Sequence, residues 1–374
     1  MRETGPLSSQ CPTGPGSVTT VTSLDGMRPP TPPPPDSDPT VRVAVFDLGS
    51  TSFHLLVVDA WRDGTLAPVA RRRSLLHLGA DVARSGSIAP DRGAAAVRTL
   101  RRLHRAAEGA GADVVVAMAT AALREAANGP ALLDRFATVL GAPVVLLSGE
   151  EEAHLCLVGQ RAGVWVGRQP VLGLDLGGGS LEAGICDATS VFGVTSVALG
   201  TGRLRGELGT GDVLGEEGRR RVAAVTRERA AAVAQLVADH PAPVTRVIAS
   251  GGTVRALARL ALTLHRPPPP SELVNRVPVN QVELPAAQVA ELADRLVSAD
   301  LDTRLALPGM QARRAAHVPV GAVVLDTVLS TLGLDRVVVS EWGLREGAVL
   351  SALALWSGKA GERSGASWRP PMPA

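Results

Sequence analysis

Tyrosine is absent from this chain of 374 residues, and four phenylalanines and five tryptophans bring aromatics to only 2%. Single-stranded nucleic acid is gripped by stacking bases on aromatic rings, so that mode has little to work with. Bulk charge does not replace it, because 38 basic and 36 acidic residues leave a formal net charge of +2. A nucleic-acid binder working through a basic field is therefore not expected. Lysine is nearly missing as well: Lys359 is the single one among the basic residues. A basic complement that is almost wholly arginine suits bidentate grips on phosphate and carboxylate, although genomic base composition produces the same bias. Cysteine is scarce. Cys11, Cys156 and Cys186 have no CxxC spacing and read as reduced thiols of a cytoplasmic protein. No apolar run approaches 18 residues, so no membrane span is expected, and the N-terminus lacks the basic-then-apolar order of a signal peptide.

What is abundant is glycine, placed with purpose. Residues 171–182 read VLGLDLGGGSLE, an apolar strand ending in Asp175, a glycine turn and the start of a second strand. Such a hairpin brings backbone N–H groups close to a ligand and can form an anion-binding nest. Asp175 stands beside it, where a carboxylate could tie Mg²⁺ to phosphate oxygens. Upstream, VRVAVFDLGSTS at 41–52 followed by FHLLVVDA repeats the strand, Asp47-Leu-Gly, strand pattern. Two copies of one unit point to two related lobes, and 45% hydrophobic residues suffice for two cores.

The chain divides accordingly. Residues 1–40, with PPTPPPP, form a Pro-rich disordered tail; 41–168 and 169–356 form the lobes; 357–374 form a second tail. In the first lobe, strands are expected over 41–47, 53–60 and 71–78, and a loop over 79–88. A helix over 92–110, a strand over 114–118, a Thr120-capped helix, a helix over 132–140 and a strand over 144–147 follow. Ser148 with Glu151 three residues on is a capping-box pattern that opens the last helix. The second lobe repeats this β-β-β-α-β-α-β-α order, with strands over 171–175, 181–186 and 191–198, a long helix over 220–238 and a loop over 263–279. Helices over 284–297, 321–331 and 344–355 complete it.

This order, with its D-L-G hairpins, resembles the duplicated actin-like (ribonuclease H-like, ASKHA) α/β fold, two lobes closing on an interlobe cleft. Within that fold the motifs resemble the exopolyphosphatase/guanosine pentaphosphate phosphatase family. DLGSTS at 47–52 is similar to its D-x-G-S-N-S, with Thr51 where Asn is usual, and DLGGGSLE at 175–182 to its D-x-G-G-G-S-x-E. ATAALREAAN at 119–128 is similar to A-T-x-A-x-R-x-A-x-N, SGEEEA at 148–153 to the stretch carrying the catalytic glutamate, and GLREG at 343–347 to the closing G-L-R-x-G. The resemblance implies a hydrolase releasing orthophosphate from inorganic polyphosphate with Mg²⁺, and homodimerisation. Guanosine pentaphosphate as substrate, or a sensor that binds polyphosphate or alarmone with little turnover, stays open.

The resemblance also implies roles. Gly49, Ser50, Thr51, Ser52, Gly177, Gly178, Gly179, Ser180, Gly251 and Gly252 would hold phosphates. Asp175 and Asp47 would hold the metal, Arg124 would grip a phosphoryl oxygen pair, and Glu152 would activate water. Glu151, Glu182 and Arg203 are further candidates. The plainer readings are a first-turn helix decoration for Glu151 or Glu152, a solvated strand start rather than a polyphosphate track for Arg71–Arg73, and structural roles for His54, His77 and His317.

Overall fold

The computed structural model describes residues 38–264 and 277–357; most of both expected tails, with Cys11 and Lys359, and most of the expected 263–279 loop lie outside the described residues. Two mixed sheets form the frame. The first comprises β1 (Val41–Leu48), β2 (Ser52–Ala60), β3 (Leu66–Leu75), β4 (Val114–Ala119) and β5 (Val144–Leu146), in the order β3-β2-β1-β4-β5. The second comprises β6 (Val171–Leu176), β7 (Leu181–Cys186), β8 (Val191–Val197), β9 (Arg246–Ser250), β10 (Glu283–Pro285) and β11 (Arg336–Val339), in the order β10-β11-β9-β6-β7-β8. Read from its other end, β8-β7-β6-β9-β11 reproduces the first sheet strand for strand. The directions match too: the hairpin pairs are antiparallel, and β1–β4, β4–β5, β6–β9 and β9–β11 are parallel. The fold is the duplicated actin-like arrangement, with β10 added at one edge.

Between the strands run α1 (Leu78–Ser85), α2 (Pro90–Gly109), α3 (Ala121–Glu125), α4 (Gly129–Leu140) and α5 (Gly149–Gly163) in the first half. The second half carries α6 (Thr201–Glu207), α7 (Gly215–Arg229), α8 (Ala231–Ala238), α9 (Gly252–Thr263), α10 (Ala286–Ser298), α11 (Leu301–Ala306), α12 (Val318–Leu332) and α13 (Leu344–Ser357). Strand periodicity divides each sheet into two buried faces. On β1, Ala44, Phe46 and Leu48 join the core under α2 and α4. Val41, Val43 and Val45 join the opposite core, where Ala348, Val349 and Ala352 of α13 pack. By the same alternation Asp47 faces α13, and Asp175, two residues beyond Gly173, faces α5.

Helices α5 and α13 cross the division at 168/169. α13 packs on the first sheet although it follows the second, and α5 lies along β6, β7 and β8. Gly173 and Gly184, cross-strand partners, make room for α5: a Cβ on either would overlap Leu157. The lobes are thus stapled by an exchange of helices.

Four local expectations change. The segment expected as a loop over 79–88 is mostly α1, whose buried Leu78, Asp81 and Val82 form its inner face. Gly86, at φ 70°, is its left-handed C-cap. The third strand begins at Leu66, so Arg71–Arg73 sit inside it rather than at its start. The long helix over 220–238 is broken at Ala230, where buried Thr226 turns its hydroxyl back onto the Val222 carbonyl, a bond that bends helices. Thr120 is the N-cap of α3, but its hydroxyl makes no capping bond. Among the described residues no helix is long and apolar enough to cross a membrane.

Candidate active site

The two glycine hairpins meet tip to tip at the lobe junction. A Cβ on Gly178 would overlap the Thr51 hydroxyl, so glycine is required for this approach. Their carbonyls are held from behind. Leu76 and His77 N–H donate to Thr51 O and Gly79 N–H to Ser50 O, while Thr201 N–H donates to Gly177 O and Gly202 and Arg203 N–H to Gly178 O. On the other side, the N–H groups of Ser50, Thr51, Gly178, Gly179 and Ser180 donate to no group among the described residues. Five unpaired backbone donors at one cleft are a site for an anion with several oxygens.

The cleft, about 140 Å³, brings together Asp47, Gly49, Ser50, Thr51, Ser52, Glu152, Asp175, Gly177, Gly178, Gly179, Ser180, Glu182, Gly251 and Gly252. Helix α5 aims three side chains at one face by i, i+4 spacing. Gln160 donates to Ser250 Oγ at 2.8 Å and Leu174 O at 2.7 Å, and Cys156 Sγ lies 3.4 Å from Asp175 Oδ2. Glu152, at the same face's open end, has Oε2 buried without a hydrogen-bond partner. Its neighbour Glu151 is occupied: it accepts from Ser148 N–H at 2.7 Å while its own N–H donates to Ser148 Oγ at 3.0 Å, closing the capping box. Asp175 accepts from Ser250 Oγ at 2.7 Å, and Glu182, opposite it across the strands, accepts from Ser196 Oγ at 2.9 Å.

Burial sets the charge balance here. It pushes the Glu152 carboxyl well above its usual range, with Glu182 adding to the rise and Arg124 opposing it. Burial, then Asp175, raises Glu182 to about 7. Asp47 is raised to about 6 by burial, against the pull of Arg345, with Asp175 contributing. Four crowded carboxyls want a cation. Among the described residues no three or more side chains are arranged as a metal site. The donor chemistry suits a hard cation that takes one or two carboxylates, here Asp47 and Asp175, and completes its shell with water and phosphate oxygens.

Two candidates stand elsewhere. Arg124 donates to Leu147 O at 2.6 Å and sits 3.7 Å from Glu152 Oε2, behind the carboxylate rather than in the cleft lining. Arg203 bridges the lobes behind the second hairpin, with Nε on Gly179 O at 2.8 Å and Nη2 on Glu125 at 2.5 Å.

The residues not foreseen are arginines. A second chamber of about 430 Å³ shares His54, Arg73, Gly252, Arg255, Arg313, Arg314, Glu341 and Arg345 with the cleft, and adds Arg71 and Arg259. Strand alternation places Arg71 and Arg73 on the chamber side and Arg72 on the other; Arg73 is half-buried, while Arg71 and Arg72 stay exposed, so the solvated reading holds for part of the run. Burial, then Arg313, lowers Arg73 to about 10; burial, then Arg345, lowers Arg255 to about 10; burial, then Arg73, lowers Arg314 as well. A guanidinium keeps its charge at neutral pH, and among the described residues Glu341 is the one carboxylate on the chamber wall. His54 closes the near end: its Nδ1 lies 3.3 Å from Arg345 Nη1 and its Nε2 2.8 Å from Ser52 Oγ, and burial keeps it neutral. A guanidinium only donates, so Nδ1 accepts and Nε2–H points to Ser52. Arg345 was within reach of sequence reasoning through G-L-R-x-G, and Arg313-Arg314 through the doublet before α12.

The Ppx/GppA phosphatase family model matches residues 57–355. Exopolyphosphatase 1 of Mycobacterium tuberculosis is 32% identical over 320 residues, covering 84% of this chain and 88% of that relative; its Mycobacterium leprae counterpart is 32% identical over 323 residues, covering 84% and 90%. The crystal structure of an exopolyphosphatase from Cytophaga hutchinsonii superposes with a TM-score of 0.75 at 26% identity, covering 84% of this chain and 98% of that one. A Ppx/GppA family member from Aquifex aeolicus gives 0.70 at 25% identity, covering 86% and 99%. With hairpins, carboxylates and comparisons in agreement, the chain belongs to the Ppx/GppA phosphatase family.

Proposed function

We propose that the protein is an exopolyphosphatase, removing terminal orthophosphate from inorganic polyphosphate by attack of water on the last phosphorus. The observation that carries this reading is the continuity of the carboxylate cleft with the arginine chamber. A repeating polyanion satisfies many guanidinium groups at once. Among the described residues no Phe or Trp lines either cavity to stack a guanine base, which gives guanosine pentaphosphate no advantage over polyphosphate there.

In this reading the unpaired N–H groups of both hairpins bind the oxygens of the terminal phosphate and keep them oriented through the transition state. Bound Mg²⁺, held by Asp175 and Asp47, would offset charge on the phosphoryl oxygens. Glu152 Oε2, buried without a hydrogen-bond partner, accepts the proton of the attacking water. The oxygen–phosphorus bond forms as the bridging P–O bond breaks, and the shortened chain leaves with the electron pair toward the arginines. Arg124, at 3.7 Å, favours the ionised form of Glu152. Two buried free cysteines, Cys156 and Cys186, fit work in the reducing cytoplasm.

The test is orthophosphate release from long-chain polyphosphate and from guanosine pentaphosphate, with and without Mg²⁺, in the wild type and Glu152→Gln. Mg²⁺-dependent release from polyphosphate, lost in the variant, is expected. Tight binding without release from either compound would instead describe a sensor, and unchanged release by Glu152→Gln would remove that residue as the base.

A further inference from the structure

A third cavity, about 280 Å³, lies behind the hairpins. Its walls include Ser50, Thr51, Gly178, Gly179 and His317, all of which also line the cleft. The three spaces therefore follow one another: arginine chamber, cleft, rear cavity. The rear cavity opens between α1 of the first lobe and α6 of the second, past exposed Ala83 and Gly206.

The partition between cleft and rear cavity is thin and belongs to both lobes. Its centre is Thr51 of the first hairpin against Gly178 of the second. Beside it the His77 and His317 rings stack across the junction, centroids 6.2 Å apart. His317 Nδ1 is buried with no hydrogen-bond partner. Arg203, Arg205, His77 and His317 line the space, faced by Glu125, which Arg203 already pairs. A lobe-to-lobe seam can part without breaking either sheet.

The geometry points to the rear cavity as an orthophosphate-binding exit, taking the released product while the polyphosphate chain still fills the arginine side. This rests on the proposed hydrolysis. A chain reaching the cleft through the chamber closes that route, so the orthophosphate cut from its end is trapped between chain and hairpins. The seam then offers the short way out, Arg203 and Arg205 offer it guanidinium donors, and the unpaired His317 nitrogen offers a further polar partner.

The test uses rim variants that touch neither hairpin, Ala83→Trp from one lobe and Gly206→Trp from the other; a Cβ at Gly206 meets nothing within 4 Å. In rapid-mixing assays with long-chain polyphosphate, both variants should make the first cleavage within about twofold of the wild-type rate. Steady-state release should fall at least fivefold, leaving a burst of about one orthophosphate per active site. Ala83→Ser should behave as wild type. Equal first-turnover and steady-state effects, or no steady-state effect, would overturn the exit. A second arm needs no turnover: inorganic phosphate is titrated calorimetrically into Glu152→Gln with and without saturating polyphosphate. Phosphate binding should persist under polyphosphate and weaken at least tenfold with Ala83→Trp added. Loss of phosphate binding under polyphosphate, or indifference to both rim variants, overturns the site. A wild type that releases no phosphate would count against the hydrolysis instead.

Discussion

The two hairpins share one register and differ in the residue facing the aspartate: His54 stands opposite Asp47, and Glu182 stands opposite Asp175. The backbone was repeated and the chemistry was not. His54 is neutral, receives Arg345 and touches Ser52, which also accepts from Arg73 at 3.1 Å, so the first hairpin leads into the arginine chamber. Glu182 adds a carboxyl beside Asp175 and Glu152, so the second hairpin leads into the acidic end. The difference teaches that one scaffold, used twice, gains direction from a single cross-strand position. Each end is uncomfortable alone. Buried carboxyls resist ionisation and buried guanidiniums repel one another, and the proposed polyanion with a cation at its terminus would relieve both.

Breaking the acidic end gives the largest expected effect. Glu152→Gln should lower steady-state phosphate release by about 10²–10⁴-fold, the usual worth of a general base, while polyphosphate binding measured by calorimetry stays within a few-fold of wild type. Erasing the asymmetry comes next. His54→Glu would put a carboxylate opposite Asp47 and beside the chamber, and should raise the KM for long-chain polyphosphate by about tenfold, roughly one lost charge-assisted contact.

Titration sharpens the same contrast. Asp47 moves from 3.8 to about 6, so the native state holds its proton through a window where the unfolded chain has lost it. Stability owed to this group is therefore full below about pH 4 and falls as pH rises to about 6, by a few kcal/mol at most. Buried histidines such as His54 and His317 act in the opposite sense as pH falls below 6.5, so the wild-type curve alone is not diagnostic. The Tm of wild type minus that of Asp47→Asn should decline between pH 4 and pH 7. A flat difference would remove Asp47 from the strained set. The smallest effect concerns the helix exchange. Gly173→Ala drives a methyl into Leu157 and should cost about 1–3 kcal/mol in denaturant unfolding, as overpacking does.

Much of this was legible in the sequence because the signals are local. Asp47, Asp175 and the glycines carry their turns with them, and Ser148 with Glu151 announces the helix that delivers Glu152. The capping box even separates the two glutamates once geometry is known, since Glu151 is held at the cap. The chamber was not legible, because Arg73, Arg255, Arg314 and Arg345 come from β3, α9, the segment before α12 and α13, and only tertiary folding collects them. Helix α1 was hidden by its glycines, one of which caps it. The crossing of α5 and α13 has no sequence signature, since an apolar helix face does not say which sheet it covers.

The most direct test of a chain-holding chamber feeding a cutting end is the chain-length dependence of kcat/KM. Orthophosphate release is measured on tripolyphosphate and on long-chain polyphosphate for wild type, Arg255→Ala and Arg314→Ala. The account predicts that wild type prefers the long chain, and that each variant loses about tenfold on it while losing no more than about threefold on tripolyphosphate. Equal losses on both substrates, or a wild type indifferent to length, would contradict it.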